Sequence, residues 1–205
     1  MNSTLPSAIW ASRLNSNGSV LWGSGLGIQI FQGSTGSSDA SRNPRVSRDG
    51  SQLCLAWEQL NSTNSSKGWN LLANRIKSDG TFVWGTNTVG SEISADWPGD
   101  QINAVIFPDD SVAATGVGGL LAVYQNYSST NSIVLTRLMP DGAGLKPAFP
   151  NHLFNVCRQN NDQTLPKAVK TAAGELLIVW NDTRSNGGGS YSSIYAQRCD
   201  RTPKR

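Results

Sequence analysis

Apolar residues along this chain fall in short runs, each closed by a glycine-containing turn, and nowhere do they recur at helical spacing. Between residues 44 and 94 the runs are "PRVSRDG", "QLCLAWEQ", "WNLLANRIKS" and "TFVWG" continuing to "SEIS". They are rich in β-branched and aromatic residues, and the pairs Asp49-Gly50 and Asp79-Gly80 punctuate them. Asn17-Gly18 and Asp141-Gly142 repeat the signal elsewhere. Asn-Gly and Asp-Gly accept the positive φ angles of tight hairpins, whose twist matches that of paired strands. The pattern predicts a four-stranded antiparallel meander.

That meander is one copy of an internal repeat. The segments "AIWASRLNSNGSVLW", "NLLANRIKSDGTFVW", "SIVLTRLMPDGAGLK" and "SIYAQRCDRTPKR" align without gaps, and their arginines Arg13, Arg75, Arg137 and Arg198 lie 62, 62 and 61 residues apart. Asp39, Asp100 and Asp162 recur with the same period, at 61 and 62. An aliphatic run ending in an aromatic appears as "LCLAW" at Trp57, "LLAVY" at Tyr124 and "LLIVW" at Trp180. The 205 residues therefore read as a single repeat domain of about three units: a partial copy over 1–43, copies at 44–102 and 103–164, and a second partial copy over 165–205.

Repeated four-stranded sheets predict an all-β, β-propeller-like fold, in which both faces of each sheet pack on neighbours. Small residues are expected where sheets approach, and Ala11, Ala73 and Ala196 share such a column, with Leu135 the exception. Trp22 and Trp84 share another column, and Trp57, Tyr124 and Trp180 a third, which makes these aromatics core residues. An arginine in a buried strand is costly unless paired, so Arg13, Arg75, Arg137 and Arg198 read as structural, with Asp39, Asp100 and Asp162 as candidate partners. Groups that recur in every unit do not read as a catalytic constellation.

Composition changes the picture in one respect. Only 15% of residues are charged, against roughly 25% in an average soluble protein, and polarity comes from Ser, Thr, Asn and Gly. Uncharged polar loops suit an extracellular protein. The formal charge of +3 is dispersed apart from the tail "CDRTPKR", which gives no basic stripe for nucleic acid, and no apolar run is long enough to span a membrane. Three cysteines are an odd number and make no disulfide framework; they read as buried thiols, with a Cys157–Cys199 bridge as the alternative. No metal-ligand spacing and no cofactor motif occurs, and the lone His152 reads as structural.

The stretch "VWNDTRSNGGGSYSSIYAQRCD", followed through an Asp, a tight turn and a Trp to the strands "RNPRVSRDG" and "TLPKAVKTAAG", resembles the repeat of large secreted bacterial proteins with β-propeller-like domains. The resemblance covers nearly the whole chain. The middle unit departs from it, because "QINAVIFPDDSVAATGVGGLLAVY" lacks the Pro and carries an insertion. What it implies is an extracellular or cell-surface scaffold with no defined chemistry. The turn "SDGTFVW" lacks the spacing of a sialidase Asp-box, so no sialidase activity is carried over.

Propellers generally close with about four to eight blades. Three units leave sheet edges and apolar faces in need of partners. The expected partner is a second copy of the chain, as a ring or a head-to-tail filament, or flanking blades of a longer chain. The expected function is a non-catalytic structural or assembly module. The alternative is a carbohydrate-binding propeller that uses loop aromatics: Trp97 beside Asp96 and Asp100, and Trp69. An enzyme would need acid and base carboxylates in one pocket, such as Asp109 with Asp110 or Asp96 with Asp100. N-glycosylation patterns stand at Asn2, Asn17, Asn61, Asn64, Asn126 and Asn181.

Overall fold

In the computed structural model the described residues are 7–33, 39–60, 68–94, 98–109, 118–138, 140, 153–184 and 191–199. They form an all-β structure of several antiparallel sheets, with one short 3-10 turn at Gly23–Gly25 as the helical element among them. The N-terminal sheet pairs β1 (Ala8–Ala11) with β2 (Ile28–Gln32). A first meander runs β3 (Ala40–Asp49), β4 (Gln52–Leu60), β5 (Trp69–Lys77) and β6 (Phe82–Trp84), with β7 (Ser91–Glu92) also pairing β5. A second meander runs β8 (Asp100–Asp109), β9 (Gly119–Tyr127), β10 (Asn131–Leu138) and β11 (Leu153–Cys157). The C-terminal sheet is β12 (Gln163–Lys170), β13 (Leu176–Asp182) and β14 (Ser193–Cys199).

Sheet boundaries differ slightly from the repeat boundaries. Residues 43/44, 102/103 and 164/165 fall inside β3, β8 and β12, at a bulge in each. The bulge residues Asn43, Asn103 and Leu165 have φ of 51°, 58° and 53°. A left-handed residue interrupts the alternation of side chains, so in sequence it resembles the end of one element although the strand continues through it.

Successive sheets pack face to face, and three cores lie between them. Ile9, Ile30 and Phe31 of the N-terminal sheet meet Leu55, Trp57 and Ile76. Leu71, Ala73 and Ala56 meet Ala122, Val134 and Leu138. Val123, Ile133 and Leu135 meet Leu176, Ile178 and Trp180. Each of the two meanders thus presents a leading face to the sheet that follows it and a trailing face to the one before, while the N-terminal sheet packs by its leading face and the C-terminal sheet by its trailing face. The aromatic columns fill these cores: Trp22, Trp57, Trp84, Tyr124 and Trp180 are all buried, each contributing about 1.5–3 kcal/mol of apolar transfer. Cys54, Cys157 and Cys199 are buried free thiols, so the alternative of a Cys157–Cys199 bridge is not what the structure contains. Burial pushes the Cys54 thiol up to about 12.

Candidate functional site

The repeated polar residues hold one sheet to the next. Asp100 Oδ1, at the start of β8, accepts the Trp69 N–H that opens β5, at 2.9 Å. One unit later Asp162 Oδ1 accepts from the Asn131 backbone at 3.1 Å and from its Nδ2 at 2.7 Å. Gly68 is obligatory beside the first of these, because its φ is +61° and a Cβ would collide with the Asp100 carboxylate. A second latch uses the bulges: Glu58 Oε1 accepts the Asn103 N–H at 2.8 Å, and Gln125 Oε1 accepts the Leu165 N–H at 3.2 Å. Glu58 is buried and also accepts from Arg42 Nε at 2.7 Å and Asn43 Nδ2 at 2.9 Å. In a third repeat, the Trp22 indole donates to the Ser78 carbonyl at 3.0 Å and the Trp84 indole to the Pro140 carbonyl at 2.7 Å.

The arginine column finds other carboxylates than the ones the period suggests. Arg75 pairs with Asp49 and also donates to Gln52 Oε1 at 2.6 Å and to the Gly118 carbonyl. Arg137 pairs with Asp109. Both acids end the first strand of the same sheet and reach the arginine of the third strand across the strand that lies between them, whereas Asp100 and Asp162 are committed to backbone amides of the preceding sheet. Asp39 lies just before β3 with a partner of its own. Arg198 lies 3.7 Å from Glu175, and its side chain is 68% exposed. Arg13 donates to the Ser78 carbonyl at 2.6 Å and meets no carboxylate among the described residues.

Of the residues expected to stack a sugar, Asp96 and Trp97 lie outside the described residues. Trp69 is half-buried, and the Arg42 guanidinium covers one ring face at 3.6 Å from its centroid. Among the glycosylation candidates, Asn2, Asn61 and Asn64 lie outside the described residues. Asn17 is exposed in its turn, and Asn181 is half-buried in β13. Asn126 is buried, and its Oδ1 accepts from Gln101 Nε2 at 3.0 Å. Asp109 is taken up by Arg137, and Asp110 lies outside the described residues.

One cluster of unlike groups does form, in the C-terminal sheet, and sequence reading missed it. Asp182 Oδ2 accepts from the Trp180 indole at 2.9 Å and from Arg184 Nε at 2.9 Å. Arg184 also lies 4.2 Å from the Tyr195 ring centroid and donates to Cys157 Sγ at 2.8 Å. Burial works to raise the Asp182 carboxyl, but the Arg184 and Trp180 donors outweigh it and hold it at about 2. Burial pushes the Cys157 thiol up, against the pull of Arg184. The cluster is built as a strut between β11, β13 and β14. The signal for it was the "NDTR" loop after Trp180, whose Asp occupies the column of Gln59 and Asn126. Among the described residues no group of three or more His, Cys, Asp or Glu could hold a metal ion, and no helix is long and apolar enough to cross a membrane.

The most distinctive surfaces are the two outer faces. On the leading face of the C-terminal sheet, Val169, Leu177 and Ile194 are 58%, 42% and 71% exposed. Their repeat counterparts Leu121 and Ile133, for the last two, are buried. On the trailing face of the N-terminal sheet Trp10 and Leu14 are 59% and 58% exposed, where Val134 and Leu138 are buried. Val46 in β3 is likewise exposed, where its counterpart Ile106 is buried. No protein-family model matches the chain, and no curated protein is similar to it.

Proposed function

We propose that this chain is a non-catalytic structural module that assembles through its incomplete outer sheets, which are blades of a β-propeller-like array. Its setting in this reading is extracellular or at a cell surface, in keeping with the low charge and the uncharged polar loops. The observation that carries the reading is the pair of unsatisfied faces. One is a leading face that ends the series of sheets, and the other is a trailing face that begins it. The same repeat joins such faces three times inside the chain. A leading face meeting a trailing face is a heterologous contact, so it closes into a ring or continues as a filament. Large apolar residues left exposed on the outer face of a sheet mark an interaction site. The partner is a second copy or further sheets of a longer chain.

Light scattering after size exclusion, over a concentration series, tests this. A stable dimer or larger ring, or growth with concentration, is the expected result. A folded monomer at every concentration would overturn assembly in trans, and the glycan-binding reading would then be tested by binding to a glycan set with and without Trp97→Ala.

A further inference from the structure

The exposed residues also say how the copies join. We propose that the β1–β2 hairpin of a second copy docks beside β13, its β1 taking the slot that β14 fills within one chain; this rests on the assembly reading above. Strand β1 and strand β14 carry the same column of the repeat, with Ile9, Ala11 and Arg13 matching Ile194, Ala196 and Arg198. They are held very differently. Ile9 is 6% exposed on its neighbour, whereas β14 is the least covered strand of the C-terminal sheet, with Ser193, Ile194, Ala196 and Arg198 all exposed. Among the described residues β1 pairs with β2 alone, so no described strand pairs along its other edge. That edge is the one along which β5 pairs with β4 and β10 pairs with β9 in the complete meanders.

Val46 decides between exchange and simple stacking. In the second meander Ile106, its counterpart, is covered by the leading face of the sheet before it, including Cys54 and Ala56 on that sheet's second strand. The matching second-strand residues of the C-terminal sheet are Leu177 and Val179. They reach Val46 of another copy only if β13 lies alongside that copy's β1. Stacking the outer faces with β14 in place would leave Val46 in water. Exchange covers Trp10, Leu14, Val46, Val169 and Leu177 together, and releases only the poorly covered β14.

Charge agrees with this placement. Arg13 meets no carboxylate among the described residues, whereas Arg75 and Arg137 have one from the first strand of their own sheet. In the C-terminal sheet Thr171 stands near that position, and Glu175 is the acid that Arg198 approaches loosely at 3.7 Å. With β1 in the β14 slot, Arg13 of the incoming copy faces Glu175. The β13–β14 register pairs Val179 with Ala196, so it predicts Val179 opposite Ala11 of the second copy.

The test is a double cysteine variant, Ala11→Cys with Val179→Cys, oxidised under native conditions and run without reductant, alongside thiol labelling of the unaltered protein. Expected are covalent dimers or ladders in the assembled fraction, and reactivity of one of the three native thiols there, Cys199, as β14 is released. An assembled fraction without the 11–179 bond and with all thiols protected overturns the exchange and leaves the assembly reading standing. A monomer at all concentrations, or a bond formed only within one chain, overturns both. Because a cysteine pair could disturb folding, Arg13→Glu and Glu175→Arg provide a second check. Each alone should weaken association several-fold, and the double charge reversal should restore it; failure of the double to restore counts against the exchange.

Discussion

Strands β10 and β14 occupy the same column of the repeat, yet β10 is buried at all but its first residue and β14 is exposed at most of its positions. Ile133 is fully buried and Ile194 is 71% exposed; Arg137 sits in a buried pair with Asp109, while Arg198 hangs near Glu175 in solvent. Both pair with a neighbouring strand along their whole length. Backbone pairing is therefore settled within one sheet, whereas burial of a side chain depends on whether a further sheet covers that face. The difference shows how much of the burial in a repeat comes from the neighbouring sheet and not from the repeat itself.

The sharpest way to break this comparison is at the arginines. Arg75→Met should cost about 3–5 kcal/mol, because it leaves Asp49 near a buried, water-poor corner and removes the bonds to Gln52 and Gly118. Arg198→Met should cost under about 1 kcal/mol, as an exposed pair does. Urea denaturation of both at low concentration checks this. An equal cost would mean that β14 is covered in solution. The apolar pair reads the same difference: Ile133→Ala should lose about 2–4 kcal/mol and Ile194→Ala about 0.5 kcal/mol or less, by thermal or urea midpoint.

Acid probes the strut that anchors the C-terminal sheet. The Asp182 carboxyl is held at about 2 in the folded protein, below its ordinary value, so its contribution is present above pH 4 and is lost as pH falls toward 2. On the order of 2 kcal/mol is at stake. Hydrogen exchange of β13 and β14 should accelerate in that range before that of β9 and β10, and Asp182→Asn should remove the difference in pH response. If the second meander opens first, the C-terminal sheet is not the weaker region. The smallest expected effect is a gain. Leu165 sits at φ 53° in the bulge where the other sheets place Asn43 and Asn103, and the residue is 52% exposed. Leu165→Asn should stabilise by roughly 0.5–1 kcal/mol, because Asn tolerates the left-handed region and little apolar contact is given up.

Much of the fold was legible in the chain because its signals are local and repeated. Asp-Gly turns, alternation broken by aromatics and a period near 62 residues point to consecutive antiparallel meanders, and the aromatic columns do form the cores. Partner choice was less legible. Asp100 and Asp162 keep the arginine period and still pair with backbone amides of the preceding sheet, while Asp49 and Asp109 take the arginines. A shared period identifies residues that do the same job in each unit, but the distance between two columns depends on hairpin geometry and sheet packing. The Asp182–Arg184–Cys157 cluster was hidden for the same reason, since Cys157 lies on another strand and nothing in its neighbours in sequence marks the approach.

Sequence alone determined the strands, their order and the spacing of the units, because turn chemistry and side-chain alternation act over a few residues and repeat faithfully. Tertiary structure alone decided which acid meets which arginine, which side chain of the preceding sheet accepts the N–H of each bulge, and which copies of one motif are buried. Those outcomes depend on contacts between faces far apart in the chain, and a face is buried only where another sheet covers it.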